Sequence, residues 1–322
     1  MNRKLIDLHM HFDGAITPAN ARKLAELLGV SIPEDEAELK KLLMVNSDCK
    51  DLNEFLQCFD FPLSLMQTKE SLKMAAKNLL LELKEEGLIY VEPRFAPQLH
   101  CQKGLTQEEV LTSVIEGMNE ADLPYNLILC CMRFADNHKE NIETIDLAKK
   151  YYRKGVAAVD LAGAEALFPA KDYKDLFDYA KELGLPFTIH AGEADGPESI
   201  RTALSFDPQR IGHGVRCIED EELVKLLASK KIPLELCPTS NIMTCIFKDM
   251  SMYPIRKLID AGVVVTLNTD DPGIEGINLI HEYEQMEKYF AFTEDEFKTL
   301  LRNSINASFA TEELKTKLLK EI

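Results

Sequence analysis

Short apolar runs rich in branched residues alternate with helix-like stretches through most of this chain, and that alternation limits the fold more than any other feature. The runs are LIYVEPRF (88–95), YNLILCCMRF (125–134), VAAVDLAG (156–163), PFTIHAGE (186–193), RIGHGV (210–215), IPLELCPTSN (232–241) and VVVTLNTDDP (263–272). LIDLHMHFD, near the N-terminus, makes an eighth strand candidate. Between them lie stretches such as TQEEVLTSVIEGMNEA and YKDLFDYAKELG, the second ending on a glycine of the kind that terminates helices. Repeated strand–helix units place parallel strands in one sheet covered by helices. Seven or eight such units in 322 residues predict an α/β fold, a (β/α)8 TIM barrel, with a doubly wound sheet as the alternative.

The spacing is uneven, because the second strand candidate begins only at residue 88. The interval of about 17–85 reads as several helices, among them DLNEFLQCFDFPLSLM, and predicts a helical insertion after strand 1. In a barrel that insertion sits at the catalytic mouth and can serve as a lid. No fixed-period repeat, low-complexity tract or Pro/Gly-rich linker interrupts the chain. Residues 1–322 are therefore expected to form a single barrel domain.

Composition narrows the class of partner. Lys and Arg number 37 against 54 Asp and Glu, a net charge of −17, which disfavours nucleic acid. No run approaches the roughly 18 apolar residues of a membrane helix. The opening MNRKLIDLHMHFDG is apolar too briefly for a signal peptide. Eight cysteines without a C-x-x-C pair suggest reduced thiols and a cytoplasmic location. No protein partner is predicted.

Most strand candidates end in a polar or glycine-rich cluster: HMHFDG, DLAGAE, HAGEADG, GHG and NTDDP. In a barrel these ends share one face, where active sites are built. His9 and His11 project the same way from a strand, roughly 6–7 Å apart at their α-carbons. His190 offers a third nitrogen, although a lone histidine there is more ordinarily just hydrogen-bonded. Asp270 offers an oxygen ligand or, alternatively, a helix N-cap ahead of Pro272. Three imidazoles and a carboxylate suit zinc, or another first-row divalent ion, which brings a coordinated water toward a pKa of roughly 7. A turn at AGE can bring Glu193 over the mouth, where a buried carboxylic acid donates a proton; otherwise it is a solvated loop residue. His213, between two glycines, has room to approach a substrate or the water. GHGVRC lacks the third glycine of a dinucleotide loop. HKE (138–140) imitates half of the H-x-E…P-C-x-x-C pattern of cytidine- and tRNA-type deaminases, and the other half is missing.

Taken in order, LHMHFDGAI, DLAGAE, HAGE, GHGV, CPTSN and NTDDP resemble the adenosine deaminase family of metal-dependent barrel hydrolases. The resemblance spans essentially the whole chain, with FLQCFD in the long interval and RFAPQLH after strand 2. It implies one Zn2+ per subunit held by His9, His11, His190 and Asp270. It implies Glu193 as proton donor to the purine N1 and His213 as the residue that orients or deprotonates the attacking water. Asp271 would bond N7, the backbone N–H of Gly163 would bond N3, and Asp13 would bind the ribose 5′-hydroxyl. Leu56 and Phe59 would form an apolar lid wall. The implied reaction is hydrolytic deamination of adenosine and 2′-deoxyadenosine to inosine and 2′-deoxyinosine, releasing ammonia, in purine salvage. The implied partner is a small-molecule purine nucleoside.

Within the family, Asp13 follows the adenosine pattern HxDGA, where adenine deaminases carry Glu and N6-methyl-AMP deaminases carry Asn; NTDDP agrees. DDPGIEG and Pro93 depart from the commonest forms and border the site, which leaves secondary substrates open. Polymerase-and-histidinol-phosphatase-type phosphoesterases also open on DLHxH. They bind two or three metals, however, and phosphate needs a basic cluster that is missing here. A third class, a non-catalytic barrel, fits poorly with a chain in which every acid, base and metal position is filled.

Overall fold

The computed structural model describes residues 3–46 and 48–322. Its strands are β1 (Leu5–His11), β2 (Leu88–Phe95), β3 (Leu127–Arg133), β4 (Val156–Gly163), β5 (His190–Ala191), β6 (Ile211–His213), β7 (Leu234–Leu236) and β8 (Val265–Leu267). They pair in parallel, in chain order, as two four-stranded sheets. Single bridges join the sheets at both seams. Val159 of β4 bridges Phe187, and Thr188 N donates to Val159 O at 3.1 Å. Met10 of β1 bridges Asp270; His11 N donates to Asp270 O at 2.7 Å and Asp270 N to His9 O at 2.8 Å. The ring closes as the expected TIM barrel.

β3 is buried at every position, as its unbroken apolar run requires of a strand covered on both faces. β5 and β7 are shorter than their sequence runs. The PTSN end of the run IPLELCPTSN is not strand at all but opens the helix Pro238–Met243. Pro238 cannot donate to a ladder, and its fixed φ suits the first turn of a helix.

The long interval holds helices Pro18–Leu28, Glu36–Leu43, Leu52–Phe55, Asp60–Leu65 and Lys69–Glu85, with a 3-10 turn at Leu56–Phe59. DLNEFLQCFDFPLSLM is thus broken in the middle. Asp51 caps the first piece through Glu54 N, and Asp60–Leu65 restarts with Pro62 near its beginning. Lys69–Glu85 packs along Gln107–Met118, edged by Lys69–Glu109 and Lys73–Glu120 pairs at 2.8 Å. At the seam the helix Glu294–Ala307 covers β1 and β8, with Leu301 and Ile305 packed among Ile6, Leu8 and Tyr90.

Charge fills much of the barrel interior. Arg94 donates to Asp160 at 2.7 Å, to Glu235 at 2.8 Å and to Leu8 O at 2.7 Å. Arg210 reaches Glu92 at 2.7 Å and also bonds Glu235. Two guanidiniums face three carboxylates here, all with no solvent exposure. Isolated, each of these charges would be prohibitive to bury; paired, they leave one net negative charge beneath the barrel mouth.

Candidate active site

Five side chains from four strand ends converge at that mouth. His9 donates from Nδ1 to Glu235 Oε2 at 2.7 Å, so its Nε2 lone pair faces Asp270 Oδ1 at 3.2 Å. His11 Nε2 lies 3.4 Å from the same oxygen and 3.2 Å from His190 Nε2. His190 Nδ1 stands 2.9 Å from Asp160 Oδ2. His9, His190, His213 and Asp270 each offer one ligand atom within 4.8 Å of the others, and His11 borders that group. Three of the four residues expected to hold the metal fall in that group together with His213, while His11 stands at its edge. His9 Nε2 and His213 Nε2 are buried without hydrogen-bond partners. The imidazole nitrogens of His9, His11 and His190 crowded around the Asp270 carboxylate fit a divalent first-row cation.

Electrostatics prepare the same set. Burial lowers His11 to about 3 and also lowers His190 and His213, so all three rings are neutral at neutral pH. Burial and Arg94 pull His9 down too, but Asp270 and Glu235 outweigh them. Burial opposes ionisation of Asp270, yet His213 and His9 hold it well below the ordinary carboxylate range. Ser240 Oγ donates to Asp270 Oδ2 at 2.7 Å. Asp270 does not cap a helix; its backbone sits at φ 76°, a strained value that persists here under the seam bonds.

Glu193 follows the end of β5 and is 4% exposed. Its loop is anchored by Glu165, which accepts from Gly192 N at 2.7 Å, Glu193 N at 3.1 Å and Asp195 N at 3.0 Å. Burial first, then Asp270 and Glu165, push the Glu193 carboxyl well above its ordinary value, which favours the protonated acid. Glu193 Oε2 and Asp270 Oδ2 lie 3.6 and 3.7 Å from His213 Nε2. Asn241 Oδ1 accepts from Tyr253 at 3.1 Å, turning Nδ2 toward His213 Nδ1 at 3.2 Å. His213 therefore accepts at Nδ1 and presents Nε2–H to the mouth.

Asp13 lies in the 3-10 turn Asp13–Ala15 with Oδ1 buried and unpartnered. Asp271 Oδ1 is likewise unpartnered, and Asp271 N donates to Glu275 at 3.1 Å. Gly163 ends β4 at φ 101°. Leu56 and Phe59 share one 3-10 turn, and the Phe59 ring meets His11 edge-on at 6.4 Å. His138 of the HKE match is exposed and pairs with Asp175 at 2.6 Å, away from this cluster.

Gly14 makes room for Asp271, since a β-carbon there would stand 1.8 Å from Asp271 Oδ1. Gly14→Ala is expected to displace that carboxylate and lower kcat/KM about 10²-fold, the cost of a misplacement near 1 Å. Steady-state kinetics within a few-fold of the parent would count against it.

Sequence reasoning missed the residues that orient the cluster: Glu235, Asp160, Glu165 and Asn241. A signal existed for Glu235, a lone acid inside the apolar LEL of β7, and for Asp160 inside VAAVDLAG. A charge in such a strand needs a buried partner. Glu282 is a further buried acid, on the helix Leu279–Phe290, and accepts from Thr239 N at 2.9 Å. Burial raises it to about 8, with the Thr239 bonds opposing. The unfolded chain releases that proton near pH 4.3, so this stabilisation is full below about 4.3 and is lost as pH rises toward about 8. Glu282→Gln should remove the decline, so its Tm should gain on the parent between about pH 5 and pH 8. A Tm difference constant with pH would contradict this.

A parallel barrel carrying a histidine–aspartate cluster at its mouth has the fold and the donor set of a metal-dependent barrel enzyme. The chain belongs to the adenosine deaminase family, whose family model, described as adenosine deaminase, matches residues 5–322. It is 46% identical over 327 residues to an adenosine deaminase of Haemophilus ducreyi, covering 99% of this chain and 95% of the relative. Among solved structures it resembles an adenine deaminase from Arthrobacter aurescens, with TM-score 0.88, 28% identity, and 98% and 97% of the two chains covered. It also resembles an Arabidopsis N6-mAMP deaminase, with TM-score 0.87, 27% identity, and 98% and 96% covered. The chain is thus a hydrolase acting on an adenine C–N bond. Among the described residues, no helix is long and apolar enough to cross a membrane.

Proposed function

We propose that the chain converts adenosine and 2′-deoxyadenosine to the inosine forms with release of ammonia, using one zinc ion held by His9, His11, His190 and Asp270. The observation that carries this reading is the buried Glu193 carboxyl set beside a cluster of histidines and Asp270 that fits a divalent cation. When bound, zinc acts as a Lewis acid that makes water nucleophilic near neutral pH.

The chain's own residues do the rest. Glu193 donates a proton to purine N1, which drains electrons from C6 and opens it to attack. His213, with Nε2–H facing the mouth, holds the attacking water in line. Asp160 and Glu235 keep His190 and His9 in register, as outer partners of metal ligands do. Asp271 recognises N7, the N–H of Gly163 recognises N3, and Asp13 takes the 5′-hydroxyl. The interval 17–85 acts as a lid, with Leu56 and Phe59 as its apolar wall over the base. Residues 1–322 work as one catalytic domain on a small-molecule purine nucleoside. Eight free cysteines support a cytoplasmic location.

The purified, zinc-replete protein is expected to release ammonia from adenosine as the absorbance near 265 nm falls, and to turn over free adenine and AMP far more slowly. Metal analysis should find one zinc per chain. No turnover of adenosine at full metal loading would end the proposal.

A further inference from the structure

Of the eight free cysteines, Cys245 alone is exposed. It lies just past the helix Pro238–Met243, whose Ser240 bonds Asp270 and whose Asn241 bonds His213. Its thiol donates to the carbonyl oxygen of Cys49 at 3.2 Å. Cys49 belongs to the long helical interval and is half-buried. It stands two residues before Asp51, the cap of Leu52–Phe55, which runs on into the turn bearing Leu56 and Phe59. The Cys49 thiol itself donates to Asp51 O at 3.4 Å. Two cysteines 196 positions apart thus meet where the interval touches the segment after β7. Nearby, Val45 N donates to Ile274 O at 3.0 Å and docks the interval on the segment after β8.

The site beneath is closed. His9, His190, His213, Asp270 and Glu193 are each at most 6% exposed, so a purine base reaches them only when a covering segment moves. We infer that Cys49 and Cys245 form an oxidative modification site, where a peroxide converts the two thiols into a disulfide that locks the helical interval onto the mouth. The inference rests on the lid role proposed above and adds a means of holding that lid shut. In the first step the Cys245 sulfur attacks one oxygen of hydrogen peroxide. The O–O bond breaks, the thiol proton leaves with the other oxygen as water, and a sulfenic acid remains. The Cys49 sulfur then attacks the Cys245 sulfur. The S–O bond breaks, the Cys49 proton leaves with the hydroxyl as a second water, and the S–S bond forms. Two electrons pass from the thiol pair to the peroxide. Burial pushes the Cys49 thiol up, which leaves the exposed Cys245 as the first to react. Closing the bond requires the Cys49 side chain to leave Asp51 O by rotation about Cα–Cβ, an ordinary change of rotamer. Disulfides of reducing compartments are usually transient sensors of this kind.

The test treats the full-length, metal-replete protein with hydrogen peroxide, removes the excess with catalase and maps disulfides by mass spectrometry of an unreduced digest. A Cys49–Cys245 peptide pair should appear, and amide hydrogen exchange in residues 49–65 should slow. With the lid held shut, kcat/KM for adenosine should fall at least about 10-fold and return on adding dithiothreitol. Cys49→Ser and Cys245→Ser should match the reduced parent in activity and resist peroxide. Neither the map nor the exchange needs a substrate. If both changes occur in a protein that does not deaminate adenosine, the lock stands and the adenosine reading falls. A map without the Cys49–Cys245 pair, or with a Cys49–Cys58 bond in its place, overturns the inference. A linked protein with unchanged exchange or full turnover overturns it too, as does a Cys245→Ser variant that peroxide inactivates as strongly as the parent. Should a serine variant fail to fold, the parent's map, its exchange and its recovery with dithiothreitol decide.

Discussion

Glu193→Gln is expected to lower kcat by about 10²–10⁴-fold, the usual contribution of a positioned general acid, while metal content and Tm stay at parental values. The amide is isosteric, and the backbone bonds to Glu165 that hold the loop do not involve the replaced side chain. What disappears is the acidic proton whose retention burial, Asp270 and Glu165 favour. The same shift sets the sign of the pH dependence. The acid must be protonated, so a raised pKa extends activity upward, and the parent should lose kcat/KM only as pH climbs through that raised value. In the variant this limb should vanish from the profile. Near-normal turnover, or an unchanged limb, would remove Glu193 from the mechanism.

Arg94→Met should be the most destabilising single change in the barrel interior, by about 3–5 kcal/mol, the cost of breaking a buried ion pair from one side. Arg94 bonds Asp160 and Glu235 at once, and these two carboxylates stand against His190 and His9. Without it, Arg210 is the only remaining cation of that network facing Glu92, Asp160 and Glu235. The volume is roughly conserved, so the loss is electrostatic rather than a cavity. Denaturant melts of the parent and variant, both stripped of metal, measure it directly. A change below about 1 kcal/mol would mean that the interior tolerates the excess negative charge, contrary to the usual cost of an unpaired buried ion.

Some of the fold is legible in the sequence alone. LIYVEPRF and VAAVDLAG coincide with β2 and β4, because strands covered on both faces must be apolar almost throughout. The glycine after YKDLFDYAKEL, Gly184, does sit just past Lys174–Glu182 at φ 67°. β5 was not legible at its true length. Phe187 and Thr188 read as strand, but they lie at the seam, where only one bridge to β4 forms. No local pattern encodes where two sheets meet. The broken helix at Leu56–Phe59 is similar, because FLQCF has ordinary helix formers and tightens only where it passes over the mouth.

For the candidate site, the chain order of HMH, HAGE, GHG and NTDDP, read on a barrel, was enough to predict that distant residues meet. Every strand of such a ring delivers its carboxyl end to the same face, whatever the distance along the chain. The sequence alone therefore determined which chemical groups stand at that face. Only the tertiary structure decided how they are aimed. His9 and Glu235 are 226 positions apart and Arg94 and Asp160 are 66 apart, yet these pairs choose the tautomers and charges of the cluster. Seam closure bends Asp270 into the left-handed region, and the turn of β6 brings His213 into the group that His11 only borders. The reason is physical: strand patterning depends on neighbours along the chain, whereas Coulomb and hydrogen-bond energies depend on distances of a few ångströms that exist only once the ring has closed.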